Sequence, residues 1–357
     1  MTRTLTGLAL FVGVVAVACS TAATPGEPTR SASSSNTATV GSAAAGSSQA
    51  TTPTHIAAPR RLVAVVTAET EHAVLAVSTR TGHVLRRAPV AGDPTTLASA
   101  PEGPVVVVSP DAGVVTILSW PGLNRLAVVR GFRSPQIAAV TPDGEWALVS
   151  DAATGDVSTI ELADDQVVDR VHVGDGAHHI AVSPNQRSAW VALGETAHTI
   201  VRLDLRNPGH LRIVGRIQPG QAAHDLAFAP NGATVWVTSA TAPDVSVRSA
   251  RSGRLLATVP AGPAPQHVTF SQGPPAAAYI SSGYGSTIEM VNPTTRRVTR
   301  RAAVPYGSFN LSTLDNLVAT TSLLNGTVTI LSRDLHRRLD AVVAPEAREI
   351  VLLHQPS

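Results

Sequence analysis

Four histidines and one aspartate carry the side chains best suited to metal or acid–base chemistry: His178, His179, His224, Asp225 and His267. Imidazole and carboxylate groups together suit zinc or a related cation. They fall into three groups, His178-His179, His224-Asp225 and His267, about forty positions apart and not at the spacing of three or four that puts two ligands on one helix. The spacing is therefore not diagnostic, and histidines that only form hydrogen bonds are the alternative. The sequence therefore predicts no metal centre and no cofactor. If a metal were bound, these four histidines would be its candidate ligands.

Several other chemistries are excluded by composition and motif. All 27 basic residues are arginine, so neither a lysine Schiff base nor a P-loop can form. The sequence has no Gly-x-Ser-x-Gly elbow and no local Ser-His-Asp pattern. Its one cysteine is Cys19, which rules out attachment of haem through Cys-x-x-Cys-His.

The stretch Gly174–Gly194 shows the repeating unit that must position the candidate residues. It reads GDGAHHIAVSPNQRSAWVALG, with a polar pair, a short apolar strand, a Pro-Asn turn and a second apolar strand. Versions recur about every forty residues, a period typical of solenoids and propellers. Seven units of four short strands follow residue 60. We therefore predict an all-β fold, a seven-bladed β-propeller with four-stranded blades.

The order of the strands predicts how the ring closes. The first unit starts with the second strand of a blade, Leu62–Val66, and the last ends with an innermost strand, Ile350–Leu353. These two segments should pair, because a propeller blade cannot cover its own faces and needs a complete ring.

The repeat resembles the YVTN repeat of bacterial extracytoplasmic β-propellers. Val235–Ser239 and Ala278–Ser282 match the strand of Tyr-Val-Thr-Asn type, and Ala177–Asn185 matches the Pro-His-(apolar)-Ser-Pro-Asp-Gly passage. The tight turn appears again at Pro142–Gly144. The resemblance covers nearly everything after residue 60 and implies a propeller outside the cytoplasm. It implies no activity, because propellers carry unrelated functions.

In a propeller, the first residue of each innermost strand stands at the mouth of the central channel. Each unit has a polar residue at this position: Thr95, Gln136, His178, His224, Gln266, Asn310 and Arg348. Seven polar groups around one axis suit a small polar ligand, an anion or ordered waters. The alternative is that they cap backbone groups and face bulk water. Loops on the same face would form a rim: Glu69, Glu71, His72, Asp111, Asp151, Glu195, His198, Asp244 and Tyr284.

A hydrolase is the second functional hypothesis. Some propellers with similar repeats open sugar lactones with histidines, acids and arginines at the hub. The resemblance therefore implies candidate catalytic residues at His178, His224, Asp225 and Arg348.

The beginning of the sequence predicts that the protein is located at the membrane. Residues 1–18 have a cationic start and an apolar run typical of a signal peptide. Ala16-Val17-Ala18-Cys19 resembles a bacterial lipobox, which implies lipidation (palmitate) at Cys19; an ordinary signal peptide cut after Ala18 is the alternative. Residues 19–59 are rich in Ser, Thr, Ala and Pro, as in a disordered tether. Residues 60–357 form the predicted propeller.

The formal net charge of +2 does not demand a polyanionic partner. Arginine pairs such as Arg86-Arg87 and Arg300-Arg301 fall on predicted outer strands, where they protect sheet edges or face anionic lipid or an acidic partner. We expect no nucleic-acid partner, because interleaved aromatic residues are lacking. The sequence thus predicts a lipid-anchored module on the extracytoplasmic face of the cell membrane. Its expected partners are the membrane, through the lipid, and an envelope protein or small polar ligand.

Overall fold

The computed structural model describes residues 61–194, 198–239, 241–262 and 264–356. These residues form 28 β-strands. None of their segments is a helix long and apolar enough to cross a bilayer. The predicted signal peptide, Cys19 and the tether lie outside the described residues.

The strands form seven antiparallel four-stranded sheets, which we call blades I to VII. From the axis outward, blade I consists of β28 (Ala347–His354), β1 (Leu62–Ala68), β2 (Ala73–Ser78) and β3 (Val84–Pro89). Blade II consists of β4 (Thr96–Ala98), β5 (Val105–Ser109), β6 (Val114–Leu118) and β7 (Arg125–Val129). Blade III consists of β8 (Pro135–Val140), β9 (Trp146–Asp151), β10 (Asp156–Glu161) and β11 (Gln166–His172).

Blades IV to VII repeat this order. Blade IV consists of β12 (Ile180–Val182), β13 (Ser188–Ala192), β14 (Ile200–Asp204) and β15 (Arg212–Ile217). Blade V consists of β16 (Leu226–Phe228), β17 (Thr234–Val237), β18 (Asp244–Ser249) and β19 (Leu255–Pro260). Blade VI consists of β20 (Val268–Phe270), β21 (Ala278–Ser282), β22 (Thr287–Asn292) and β23 (Arg297–Ala303). Blade VII consists of β24 (Ser308–Leu314), β25 (Leu317–Ser322), β26 (Thr327–Ser332) and β27 (Arg337–Val342).

The last strand closes the ring as predicted. β28 pairs with β1 in antiparallel register, with Val63 opposite Leu353 and Val66 opposite Ile350. Each innermost strand also contacts the innermost strand of the next blade, and the series returns from β28 to β4. The seven-bladed propeller predicted from the repeats is therefore confirmed.

The core lies between neighbouring blades and not around the axis. The two middle strands of a blade are almost fully buried because they are covered on both faces; β5 and β6 are buried along their whole length. Their valine-rich sequences suit such positions. Clusters of buried apolar side chains fill the interfaces between blades, each combining residues of two neighbouring blades.

The outer strands are built as protected edges. In every blade of the described chain, the register between the third and the outer strand shifts, which marks a bulge or irregularity. The outer strands are also largely exposed and carry charges, such as Arg300 and Arg301 on β23. Bulges and charges at an edge oppose pairing with another sheet.

Two inner strands end directly before a tight turn. β8 ends at Val140 and β12 at Val182, and Thr141 and Ser183 follow them. Thr141 begins the tight turn, since its carbonyl accepts the N–H of Gly144 at 2.8 Å. The position after each of these strands therefore belongs to the turn.

Candidate functional site

A polar cavity of about 290 Å³ lies at the axis of the ring. All seven residues predicted at the channel mouth line it: Thr95, Gln136, His178, His224, Gln266, Asn310 and Arg348. The next residue along the chain also lines it in five blades: Thr96, Ile137, His179, His267 and Glu349. Tyr284, Phe309 and Leu323 complete the wall. We call this space the hub cavity.

Buried hydroxyls hold the innermost segments in place. The hydroxyl of Thr238, the residue after β17, accepts the backbone N–H of Asp225 at 3.0 Å. It also lies 2.7 Å from the carbonyl oxygen of Gln266 in the next blade, to which it can donate. Similar bonds from a backbone N–H to a hydroxyl occur in three other blades: Ile137 to Ser150 (3.2 Å), His267 to Ser281 (3.1 Å) and Glu349 to Thr67 (2.9 Å). Thr238 occupies the place of Thr in the Tyr-Val-Thr-Asn pattern, so this part of the motif has a structural role.

Three imidazole rings from consecutive blades meet in the hub cavity. One ring nitrogen from each of His179, His224 and His267 can be chosen so that all three lie within 4.8 Å of one another. The ring centres are 4.7 Å apart for His179 and His224, 5.2 Å for His179 and His267, and 5.4 Å for His224 and His267. We call these residues the three-histidine cluster. His178 contacts the cluster from one side, with its Nδ1 atom 2.8 Å from Nδ1 of His179.

His179 is the most buried member of the cluster, with 6% of the residue exposed. Burial, followed by the proximity of His178, His224 and His267, holds the pKa of His179 well below 6.5. Its ring is therefore neutral at pH 7. A neutral imidazole keeps a nitrogen lone pair that can accept a proton or bind a cation.

Asp225 supports the cluster from behind. Its Oδ2 atom lies 3.5 Å from Nδ1 of His267 and accepts the backbone N–H of Val268 at 2.9 Å. The carboxylate therefore contacts the ring of His267 and the strand that carries it. Asp225 was a candidate catalytic residue, and the structure places it beside an imidazole.

Glu349 is a titratable residue of the hub cavity that the sequence did not predict. Desolvation raises its pKa to about 8, and the nearby charge of Asp225 acts in the same direction. The N–H of Ile350, 3.1 Å from Oε1, and Arg348 lower the pKa in part. Glu349 follows Arg348 directly, as His179 follows His178. The position after each predicted hub residue could therefore have indicated that Glu349 lies in the cavity.

The sequence left two alternatives for the hub side chains: to bind a ligand, or to cap backbone groups. The remaining side chains show contacts of more than one kind. Asn310 caps a backbone group, since its Nδ2 donates to the carbonyl oxygen of Arg348 at 2.8 Å. Gln136 donates from Nε2 to the hydroxyl of Ser134 at 2.9 Å. Arg348 reaches the rim, where its Nη1 lies 2.9 Å from Oε2 of Glu69.

The predicted rim is only partly at the cavity. Tyr284 lines the cavity, and Glu69 pairs with the hub residue Arg348. Asp151, the last residue of β9, is 2% exposed and accepts the backbone N–H groups of Arg133 and Ser134, in the segment before β8. Asp151 therefore holds that segment in place and has a structural role. Glu195 lies outside the described residues.

Comparisons with known proteins identify the fold and not a family. No protein-family model matches the chain, and no curated protein matches its sequence significantly. Among solved structures, a functionally unknown protein from Desulfotomaculum acetoxidans DSM 771 superposes with a TM-score of 0.72 at 16% identity, covering 82% of this chain and 99% of that one.

Two further structures have the same architecture. Apo AztD from Citrobacter koseri gives a TM-score of 0.65 at 11% identity, over 82% of this chain and 98% of that chain. The hydrazine synthase of Kuenenia stuttgartiensis gives a TM-score of 0.58 at 18% identity, over 68% of this chain and 77% of that chain. At such identities the comparisons show the fold alone, which is a seven-bladed β-propeller.

Proposed function

We propose that this propeller is a binding protein whose ligand occupies the hub cavity. The observation that carries the proposal is that all seven blades contribute a polar residue to one cavity. Its volume of about 290 Å³ is at the lower end of the ~300–1,000 Å³ typical of small-molecule sites. A small polar molecule or an ion fits this space, whereas a macromolecule could contact only its rim.

The experiment is to purify the full chain from its native envelope and to identify small molecules that remain bound, by mass spectrometry of the denatured sample. A matched preparation carries Gln266→Ala and Asn310→Ala, two buried amides of the cavity wall. The proposal expects a ligand in the wild type that is lost in the variant. An identical content in both preparations would contradict it.

The proposed location is the extracytoplasmic face of the cell membrane, with Cys19 as the lipidated residue. Support comes from the apolar leader, the Ala-Val-Ala-Cys sequence and the resemblance of the repeats to YVTN propellers. The substitution Cys19→Ser should move the protein from the membrane fraction to the soluble fraction and abolish incorporation of labelled palmitate. Unchanged membrane association and labelling would contradict the anchor.

A lactonase-like hydrolase is the second candidate, because His178, His224 and Arg348 line the same cavity instead of pointing to separate surfaces. Such an enzyme needs an acid or base near the substrate. A panel of sugar lactones tests it with wild-type protein and with His178→Ala and His224→Ala. Turnover that both substitutions abolish supports the hydrolase, and wild-type turnover no faster than spontaneous opening excludes it for that panel.

A further inference from the structure

The three-histidine cluster has the composition and arrangement of a cation site. One nitrogen from each of His179, His224 and His267 lies within 4.8 Å of the other two. A tetrahedral ion about 2.0–2.1 Å from each nitrogen would separate the nitrogens by about 3.3 Å. The rings would therefore move together by up to about 1.5 Å, a distance that side-chain rotation can supply.

At all three positions the backbone is hydrogen-bonded to the second strand of its own blade or to the residue that follows that strand. The carbonyl of His179 accepts the N–H of Ala192 at 2.9 Å, and the N–H of His224 bonds to the carbonyl of Thr238 at 2.9 Å. The carbonyl of His267 accepts the N–H of Ser281 at 3.0 Å. Because each ligand lies in the innermost segment of its blade, which pairs with the second strand, the relative positions of the rings depend on the ring of blades.

Contacts around two of the rings leave one nitrogen of each for a cation. Nδ1 of His179 is engaged by Nδ1 of His178 at 2.8 Å, and Nδ1 of His267 faces Oδ2 of Asp225 at 3.5 Å. An imidazole has two ring nitrogens, so Nε2 is the one available in both residues. A carboxylate behind a ligating histidine is the usual second shell of a zinc site.

We infer that His179, His224 and His267 bind a divalent transition-metal cation of the zinc type in the hub cavity. This inference rests on the proposed function and names the ligand class. Imidazole donors select such ions over Ca²⁺ and Mg²⁺, which prefer oxygen ligands.

The charges in the cavity favour the same ligand. Asp225 and Glu349 are close enough to interact electrostatically, while Arg348 is directed to Glu69 at the rim. A divalent cation between the three imidazoles would be attracted by the carboxylate of Asp225. With three protein ligands the fourth position is open toward the cavity, where water or a small anion can bind.

The test is a titration of the full chain in detergent, stripped with a chelator, with Zn²⁺, and separately with Co²⁺ as a spectroscopic probe. The inference expects one tight Zn²⁺ equivalent per chain and visible Co²⁺ absorption of a tetrahedral site. His224→Gln and His267→Gln should each weaken Zn²⁺ binding at least 30-fold. His172→Gln is the matched control and should change it less than threefold, since His172 faces Asp156 at 3.1 Å on the protein surface.

Folding is monitored in the same samples by thermal unfolding without metal. For the wild type, Zn²⁺ should raise the unfolding temperature and Mg²⁺ should not. This measurement needs no variant and therefore remains decisive if a substituted protein fails to fold. The inference is overturned if Zn²⁺ gives no stabilisation of the wild type, or if well-folded cluster variants bind it as tightly as the wild type.

The outcome separates the inference from the proposed function. A small molecule that is lost in the Gln266→Ala/Asn310→Ala protein, together with absent Zn²⁺ binding, rejects the metal and retains the hub cavity as a binding site. If neither a bound small molecule nor Zn²⁺ binding is found, the metal site and the proposed function are both rejected.

Discussion

Oδ2 of Asp225 lies 3.5 Å from Nδ1 of His267 and accepts the N–H of Val268 at 2.9 Å. The two residues belong to neighbouring blades, so the contact links blade V to blade VI next to the axis. A carboxylate in this place fixes the orientation of the imidazole. Asp225 is therefore a positioning residue for the three-histidine cluster.

The substitution Asp225→Asn should weaken Zn²⁺ binding by roughly 10-fold to 100-fold, because loss of a second-shell carboxylate has this effect in metal sites. Isothermal titration of the chelator-stripped protein measures it. Asp156→Asn is the control, since Asp156 forms the corresponding pair with His172 at the surface. Equal affinities for Asp225→Asn and Asp156→Asn would show that Asp225 does not act on the site.

Glu349→Gln should change how stability depends on pH. The folded-state pKa of Glu349 is raised from 4.5 to about 8, so the folded protein retains a proton that the unfolded chain loses. The stability that protonated Glu349 provides is complete below pH 4.5 and is lost as the pH rises toward 8. The full shift would correspond to about 5 kcal/mol, and solvent in the cavity reduces it, so we expect about 1–4 kcal/mol.

Urea unfolding of metal-free protein between about pH 4.5 and pH 9 measures this difference. The stability of Glu349→Gln relative to wild type should increase up to pH 8 and then remain level. Glu346→Gln, an exposed glutamate of the preceding loop, is the control. Parallel curves for wild type and Glu349→Gln would contradict the prediction.

Thr238→Val should destabilise the fold by about 1–3 kcal/mol, because it leaves two buried backbone groups without the hydroxyl. Those groups are the N–H of Asp225 and the carbonyl of Gln266. Thr258→Val on the exposed face of β19 makes the same chemical change without such partners and should stay within about 0.5 kcal/mol. Similar unfolding midpoints for the two variants would show that the Thr238 hydroxyl does not stabilise the innermost segments.

Ile350→Ala should cost roughly 2–5 kcal/mol, since Ile350 is 1% exposed and packs in the core between blades I and VII. It lies opposite Val66 in the pairing that closes the ring. Val342→Ala, at a position 78% exposed, should change stability by less than about 0.5 kcal/mol. Denaturant unfolding compares them, and a loss for Ile350→Ala as small as that for Val342→Ala would mean that closure adds little stability.

The ring of blades could be predicted from the sequence because the residues that determine each blade are close in the chain and recur in every unit. Each unit carries its own turn residues and β-branched strands, and the phase of the first and last strands fixes their pairing, as Val63 and Leu353 show. The polar residue at the mouth of each blade could be predicted because every unit repeats a polar position directly before its innermost apolar strand.

The chemistry of the hub cavity could not be predicted in the same way. Whether His179, His224 and His267 meet depends on the width of the channel and on side-chain rotamers, and neither follows from spacings of about forty residues. The raised pKa of Glu349 could not be predicted because it arises from desolvation and from Asp225, a residue three blades away along the ring. Asp151 shows the converse, since a charged residue predicted in a rim loop is the buried last residue of β9 and is bonded to backbone.

A cation held between three imidazoles at the axis of the propeller can be located by anomalous diffraction at the zinc absorption edge, from crystals of the protein grown with Zn²⁺. We expect one strong anomalous peak about 2.0–2.2 Å from ring nitrogens of His179, His224 and His267. Anomalous peaks only at surface histidines such as His172, with none inside the hub cavity, would contradict it.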